Sequence, residues 1–277
     1  MRMHADQVDV TVADARRLLP AELADLPVRP VASGGTVNAV FRVGDDLALR
    51  VPLRPFNGDL REPALLRRLA PHLPVPIPRP YAQDAERGWT IQQWLPGGTP
   101  SSDGRGGRAL ADDLVGVLEA LWRVPTAGGV APPRTLWTHD VVHAAIDAAA
   151  DELDAPATRA VWERLSAAGP WRRPPVWVHG DLLPGNLLLR DGRLVGLIDF
   201  AGAGVGDPAC DLMVFWHVLG PSGRAHVRRR LGLDDDTWHR GAAWALAQAL
   251  VALPYYRHTN AYMTAGARYA IRAVLGR

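Results

Sequence analysis

The chain has 277 residues and a formal net charge of +2, and all 31 of its Lys+Arg positions are arginine. Without lysine, Schiff-base chemistry and the G-x-x-x-x-G-K-[ST] phosphate loop are excluded, and ammonium roles fall to guanidinium groups. A 48% hydrophobic content excludes a disordered chain, and the single cysteine, Cys210, excludes an internal disulfide and a multi-cysteine zinc site.

The small net charge supplies no field for nucleic acid. The longest apolar stretch, 241–256, is interrupted by Gln248 and Pro254, so no membrane span is expected. With no basic-then-apolar leader pattern, the expected location is the reducing cytoplasm.

In chain order, residues 10–23 read as a short helix. Val28 to Val51 reads as strands, with turn signals at Ser33-Gly34-Gly35-Thr36 and Gly44-Asp45-Asp46. The alternation of Ala39, Phe41 and Val43, followed by Leu47 to Val51, predicts a hairpin. Residues 61–70 predict a helix with Pro63 in its first turn. The five prolines of 71–80 predict an extended connector, and Trp89 to Leu95 another strand. Residues 96–108 are rich in Gly and Ser and read as a linker.

Beyond it, Leu110, Leu114, Val117, Leu118 and Leu121 follow the spacing of a buried helix face, and helix is expected through about 166. A β-rich patch follows at 176–178, 187–189 and 194–198, with Asp191-Gly192 as a hairpin turn. Residues from 208 onward read as helical, with Asp234-Asp235-Asp236 as an N-cap and first turn. The expected fold class is α+β, in two lobes. A small antiparallel-sheet N-lobe spans residues 1–95, a hinge or linker 96–108, and a larger, mainly helical C-lobe 109–277.

The chemistry-bearing text is Val178-His179-Gly180-Asp181-Leu182-Leu183-Pro184-Gly185-Asn186, followed by Ile198-Asp199-Phe200. Phosphoryl transfer needs a carboxylate to orient the attacking hydroxyl and take its proton. It also needs hard oxygen ligands for magnesium. The Asp181 to Asn186 spacing matches the D-x-x-x-x-N of the kinase catalytic loop, and Asp199-Phe200 matches the start of D-F-G.

Together with Gly206-Asp207-Pro208-Ala209-Cys210-Asp211-Leu212, these segments resemble the aminoglycoside phosphotransferase family, which has a bilobal protein-kinase-like fold. The resemblance implies Asp181 as catalytic base and Asn186 and Asp199 as Mg2+ ligands. His179, Asp207 and Asp211 would support the loop. Arg50 would take the place of the nucleotide-binding lysine, with Glu62 as its partner. Ser33, Gly34, Gly35 and Thr36 would cover the phosphates of ATP or GTP, and Gln93 and Leu95 would meet the base at the hinge. Three departures stand out: arginine in place of lysine at 50, Ala201 before Gly202 in place of the D-F-G glycine, and no full G-x-G-x-x-G.

The expected partner is a small-molecule acceptor with a hydroxyl, an aminoglycoside by resemblance. A macrolide, a choline- or homoserine-like alcohol, and a catalytically silent nucleotide binder are the alternatives. Residues 138–164 hold six acids and two arginines. Asp147, Asp151 and Asp154 recur at i, i+4 and i+7, which predicts one acidic helix face suited to a cationic acceptor. Tyr255, Tyr256 and Asn260 are further acceptor candidates by resemblance. Cys210, Trp216 and His217 read as core.

Overall fold

A capping box between Thr11 and Asp14 starts α1 (Val12–Arg17), the first helix in this computed structural model, which describes residues 6–32, 37–56, 60–132 and 134–277. The helix is shorter than the expected 10–23. Pro20 disfavours helical backbone at the residue before it, and only a 3-10 turn, Ala21–Leu23, follows. The turn residues Ser33 to Thr36 lie outside the described residues.

Strands β1 (Val28–Pro30), β2 (Asn38–Val43) and β3 (Leu47–Pro52) are followed by α2 (Glu62–Leu69), β4 (Pro80–Asp84) and β5 (Trp89–Gln93). They form one antiparallel sheet in the order β1-β2-β3-β5-β4. Pairing Phe41 with Leu49 in the β2–β3 hairpin points one apolar set inward, and Phe41, Val43, Leu49 and Ile91 form a buried core with Val28 and Trp89. β4 falls where the sequence predicts only an extended connector. It is an edge strand that begins on a proline, a position where the missing N–H costs little.

The 96–108 segment runs from the sheet to α3 (Arg108–Arg123) and is tied down along its length. Gly98 and Leu189 exchange backbone hydrogen bonds of 2.9 and 2.7 Å, and the Gly106 N–H donates to Val218 O at 2.8 Å. Leu110, Leu114, Val117, Leu118 and Leu121 are all buried on α3, as their spacing predicts.

Helix then runs as two pieces, α4 (His139–Ala148) and α5 (Ala155–Ser166). The single face expected for Asp147, Asp151 and Asp154 therefore does not exist. Asp154 is the N-cap of α5, accepting from Ala157 N at 3.1 Å, with Pro156 in the first turn. Asp-x-Pro is a helix-start signal, and it breaks the i, i+4 register.

Strands β6 (Val176–Val178), β7 (Leu187–Arg190), β8 (Arg193–Leu197) and β9 (Gly204–Gly206) make two small antiparallel pairs, β6 with β9 and β7 with β8. β9 is Gly-Val-Gly and carries no strand pattern of its own. Helices α6 (Ala209–Leu212), α7 (Val214–Val218), α8 (Pro221–Leu231), α9 (Asp235–Tyr256) and α10 (Ala261–Leu275) complete the chain. Asp234 caps α9 as expected, accepting from Thr237 N at 2.7 Å. Most of α9 is buried at the centre of the helical lobe, in the same core as Cys210 and Trp216; His217 is buried too. The fold is α+β, an antiparallel-sheet N-lobe beside a helical C-lobe. No helix among the described residues is long and apolar enough to cross a membrane.

Candidate active site

The end of β6 and the start of β7 flank one loop, 179–186. Its fixed point is Asp211, fully buried in α6, whose carboxylate accepts from His179 N at 2.7 Å and Gly180 N at 2.8 Å. Burial pushes the Asp211 carboxyl up, and these hydrogen bonds oppose the shift. Asp207 ties the start of α6 to α9. It accepts from Ala209 N at 2.9 Å and from the Arg240 guanidinium at 2.7 Å.

The His179 ring is buried and held neutral by burial. It donates from Nε2 to Ile198 O at 3.1 Å and accepts at Nδ1 from Asp181 N at 3.3 Å. The same ring lies 4.4 Å from Phe200, so one histidine fixes both the loop and the Ile198-Asp199-Phe200 segment. Gly180 has φ 75°, and a Cβ there would overlap the Gly202 carbonyl. Ala201 is exposed. The close approach is made by Gly202, one position after the glycine of D-F-G.

Asn186 donates from Nδ2 to Asp181 O at 2.8 Å, which leaves Oδ1 as the side-chain oxygen that could hold a metal ion. Asp199 sits at φ 67°, a left-handed backbone costing about 1–3 kcal/mol for a residue other than glycine. The surrounding contacts enforce it. The Asp199 Oδ1 accepts from Arg50 at 2.9 Å, and the next residue's N–H, Phe200 N, donates to Glu62 Oε1 at 2.9 Å.

Arg50 on β3 also donates to Glu62 Oε2 at 2.5 Å. One guanidinium thus bridges a buried glutamate at the start of α2 and an aspartate of the C-lobe. Burial pushes the Glu62 carboxyl up against the pull of Arg50. Burial also acts to raise Asp199, but the Arg50 charge and hydrogen bond outweigh it and hold this carboxyl below the usual range. The Arg50 guanidinium is itself raised, because the two acids more than offset its burial.

The sequence reading missed Arg134. Its guanidinium forms an ion pair with Asp181 Oδ1, on a carboxylate whose side chain is 17% exposed. The loop behind it is held by Arg61, which donates to Ala131 O and Ala203 O, and by Val205 N, which donates to Val130 O at 2.8 Å. Arg134 lies in an Ala-Pro-Pro-Arg run that carries no motif, so no sequence signal marks it. Burial raises the Asp181 carboxyl, Arg134 lowers it and Asp199 raises it. The net result is a pKa above the usual carboxylate value. A second missed neighbour is Tyr262 on α10. It faces Gly185 of the loop and donates its hydroxyl to Pro100 O at 3.0 Å.

The structure therefore brings together Asp181, Asn186, Asp199, Arg50, Glu62 and His179. The loop Ser33 to Thr36 lies outside the described residues. At the hinge, Gln93 N donates to Arg79 O at 2.8 Å and Trp94 N to Asp46 O at 2.7 Å, so those amides serve the sheet. Leu95 is buried. The acceptor candidates are dispersed. Asp147 pairs with Arg159, and Asp151 with Arg257 at 3.0 Å. Asn260 is the N-cap of α10, accepting from Met263 N at 3.1 Å. Tyr255 is exposed and in edge contact with Tyr256.

Comparison with known proteins places the chain in a family. Residues 28–244 match the model of the phosphotransferase enzyme family. An aminoglycoside 3'-phosphotransferase of Escherichia coli is 28% identical over 219 residues, spanning 71% of this chain and 80% of that protein. The apoenzyme of a macrolide 2'-phosphotransferase from Brachybacterium faecium superposes with TM-score 0.61 at 25% identity, covering 90% and 93% of the two chains. The GDP complex of an aminoglycoside 2'-phosphotransferase superposes with TM-score 0.63 at 18% identity, covering 90% and 92%. With the family model covering most of its length, from β1 into α9, the chain belongs to the phosphotransferase enzyme family.

Proposed function

We propose that this protein transfers the γ-phosphate of ATP or GTP to a hydroxyl of a small-molecule antibiotic, with an aminoglycoside as the leading acceptor. The observation that carries the reading is the convergence of Asp181, Asn186 and Asp199 on one His179-braced loop, within reach of Arg50. The chemistry of the donor set fits magnesium, which takes hard oxygen ligands. Asn186 offers Oδ1 and Asp199 an ionised carboxylate, and these two residues would hold the ion. Magnesium would supply charge neutralisation of the phosphates.

In this reading the nucleotide occupies the cleft between the lobes. The base lies against Leu95 and Gln93, and the 33–36 loop covers the phosphates. Arg50 contributes positive charge beside Asp199 while Glu62 fixes its direction. Asp181 orients the acceptor hydroxyl toward the γ-phosphorus and takes its proton. Its raised proton affinity suits that task, because a base works best with a pKa nearer the operating pH. Arg134 holds Oδ1 of the Asp181 carboxylate, and Oδ2, contacted among the described residues only by Asn186 Nδ2 at 3.4 Å, is the oxygen left to meet the hydroxyl.

Asp147, Asp151, Tyr255, Tyr256 and Asn260 enter the proposal as acceptor contacts on altered terms. The two acids already carry arginine partners that reduce their pull on a cationic acceptor, and Asn260 already accepts the cap hydrogen bond of α10. That pairing of the acids favours a second reading, in which the acceptor is a macrolide or another alcohol of low positive charge. Coupled measurement of nucleoside diphosphate release, with ATP and GTP against both antibiotic classes and simple alcohols, tests both readings. Release with an aminoglycoside supports the first, and release with a macrolide alone supports the second. No acceptor-dependent release across the panel contradicts both.

A further inference from the structure

Outside the cleft, His139 and His143 lie one turn apart at the start of α4, and Glu163 faces them from the last turn of α5. The His143 Nε2 is 2.8 Å and the His139 Nδ1 3.3 Å from the same oxygen, Glu163 Oε1. The ligand atoms of all three lie within 4.8 Å of one another. We propose that His139, His143 and Glu163 form a binding site for a divalent transition metal of the zinc type, clamping α4 to α5.

The donor set and spacing both support it. Two imidazoles and one carboxylate are a zinc ligand set that leaves a position open. Residues four apart on a helix are neighbours on one face. Zn–N and Zn–O bonds of about 2.0–2.2 Å place adjacent ligands of a tetrahedron roughly 3.3 Å apart. The two His–Glu donor pairs, at 3.3 and 2.8 Å, are already near that spacing, and the two imidazole nitrogens lie within 4.8 Å of each other.

The helix ends oppose each other, the partial negative charge at the end of α5 favouring a cation and the partial positive charge at the start of α4 disfavouring it, so the attraction rests on the full negative charge of Glu163. The three side chains are partly exposed, at 54%, 36% and 51%, so a metal can enter from solvent. One contact must be exchanged. Trp162 Nε1 donates to His139 Nδ1 at 3.3 Å, and the metal takes that lone pair. The site has no part in the phosphoryl-transfer residues. It does fix the helix that directly follows the Arg134 loop.

The test is calorimetric titration of zinc into chelator-stripped protein without nucleotide or magnesium. One saturable site per chain is expected. His143→Ala and Glu163→Gln should each weaken binding by at least about tenfold, the lower end of what disturbing a metal's outer shell costs. Asp199→Asn should leave it unchanged. Cobalt in place of zinc should give visible absorption that His143→Ala removes. Circular dichroism checks that each variant is folded. The proposal is overturned by an absence of saturable binding, by affinity unchanged in both cluster variants, or by loss of binding in Asp199→Asn.

Discussion

The Arg134 guanidinium is paired with the Asp181 carboxylate, on the one side chain proposed to accept the hydroxyl proton. Burial raises the Asp181 proton affinity and Arg134 lowers it. A raised pKa keeps the group protonated to higher pH, so turnover should fall on acidification from above the ordinary aspartate value of about 3.9. In Arg134→Ala the opposing charge is gone, and the acid limb of the kcat/KM profile should move to still higher pH. The alkaline plateau should stay well above that of Asp181→Asn. An unmoved acid limb would separate Arg134 from the base.

Arg50→Lys is the informative change at the second ion-pair centre. The guanidinium reaches Glu62 and Asp199 with different nitrogens, at 2.5 and 2.9 Å. An ammonium is a point charge that cannot fork in the same way. Hydrogen bonds to charged groups contribute about 1.5–3 kcal/mol each, so Arg50→Lys should lower the thermal midpoint and raise the nucleotide KM. If the midpoint falls while the KM stays constant, Arg50 joins the lobes and does not serve the nucleotide.

Asp211 supports the loop with no proposed contact to reactants. Asp211→Ala would leave two buried backbone N–H groups without partners, costing about 1–3 kcal/mol for each. Thermal or urea denaturation should show a loss of several kcal/mol. A change below about 0.5 kcal/mol, the size typical of surface substitutions, would mean the loop is held by something else.

Much of this was legible in the sequence, and the exceptions have physical causes. The Asp181 to Asn186 spacing and the Ile-Asp-Phe run marked the side chains that the structure gathers at one loop, because phosphoryl transfer demands fixed residue types at fixed distances. The α3 face was legible from periodicity alone. Arg134 was not, because its meaning comes from a loop held by Arg61 and β9, contacts distant in sequence. The acidic face failed because Asp154-Ala155-Pro156 starts a new helix, and i, i+4 counting has no meaning across a break. β4 and β9 were hidden because edge and three-residue strands bury too little to impose alternation. Absence of lysine first served to exclude chemistries. In the fold it resolves into specific arginines, with Arg50 paired to Asp199 and Arg134 to Asp181.

The most direct measurement of the central claim is acceptor-dependent nucleoside diphosphate release by wild type and by Asp181→Asn, each with its best acceptor from the panel. A positioned base contributes roughly 10²–10⁴-fold, so kcat should fall by at least about 100-fold in the variant, with the nucleotide KM little changed. Near-wild-type turnover by Asp181→Asn would contradict the assignment of Asp181 as the base, and with it the mechanism built on this loop.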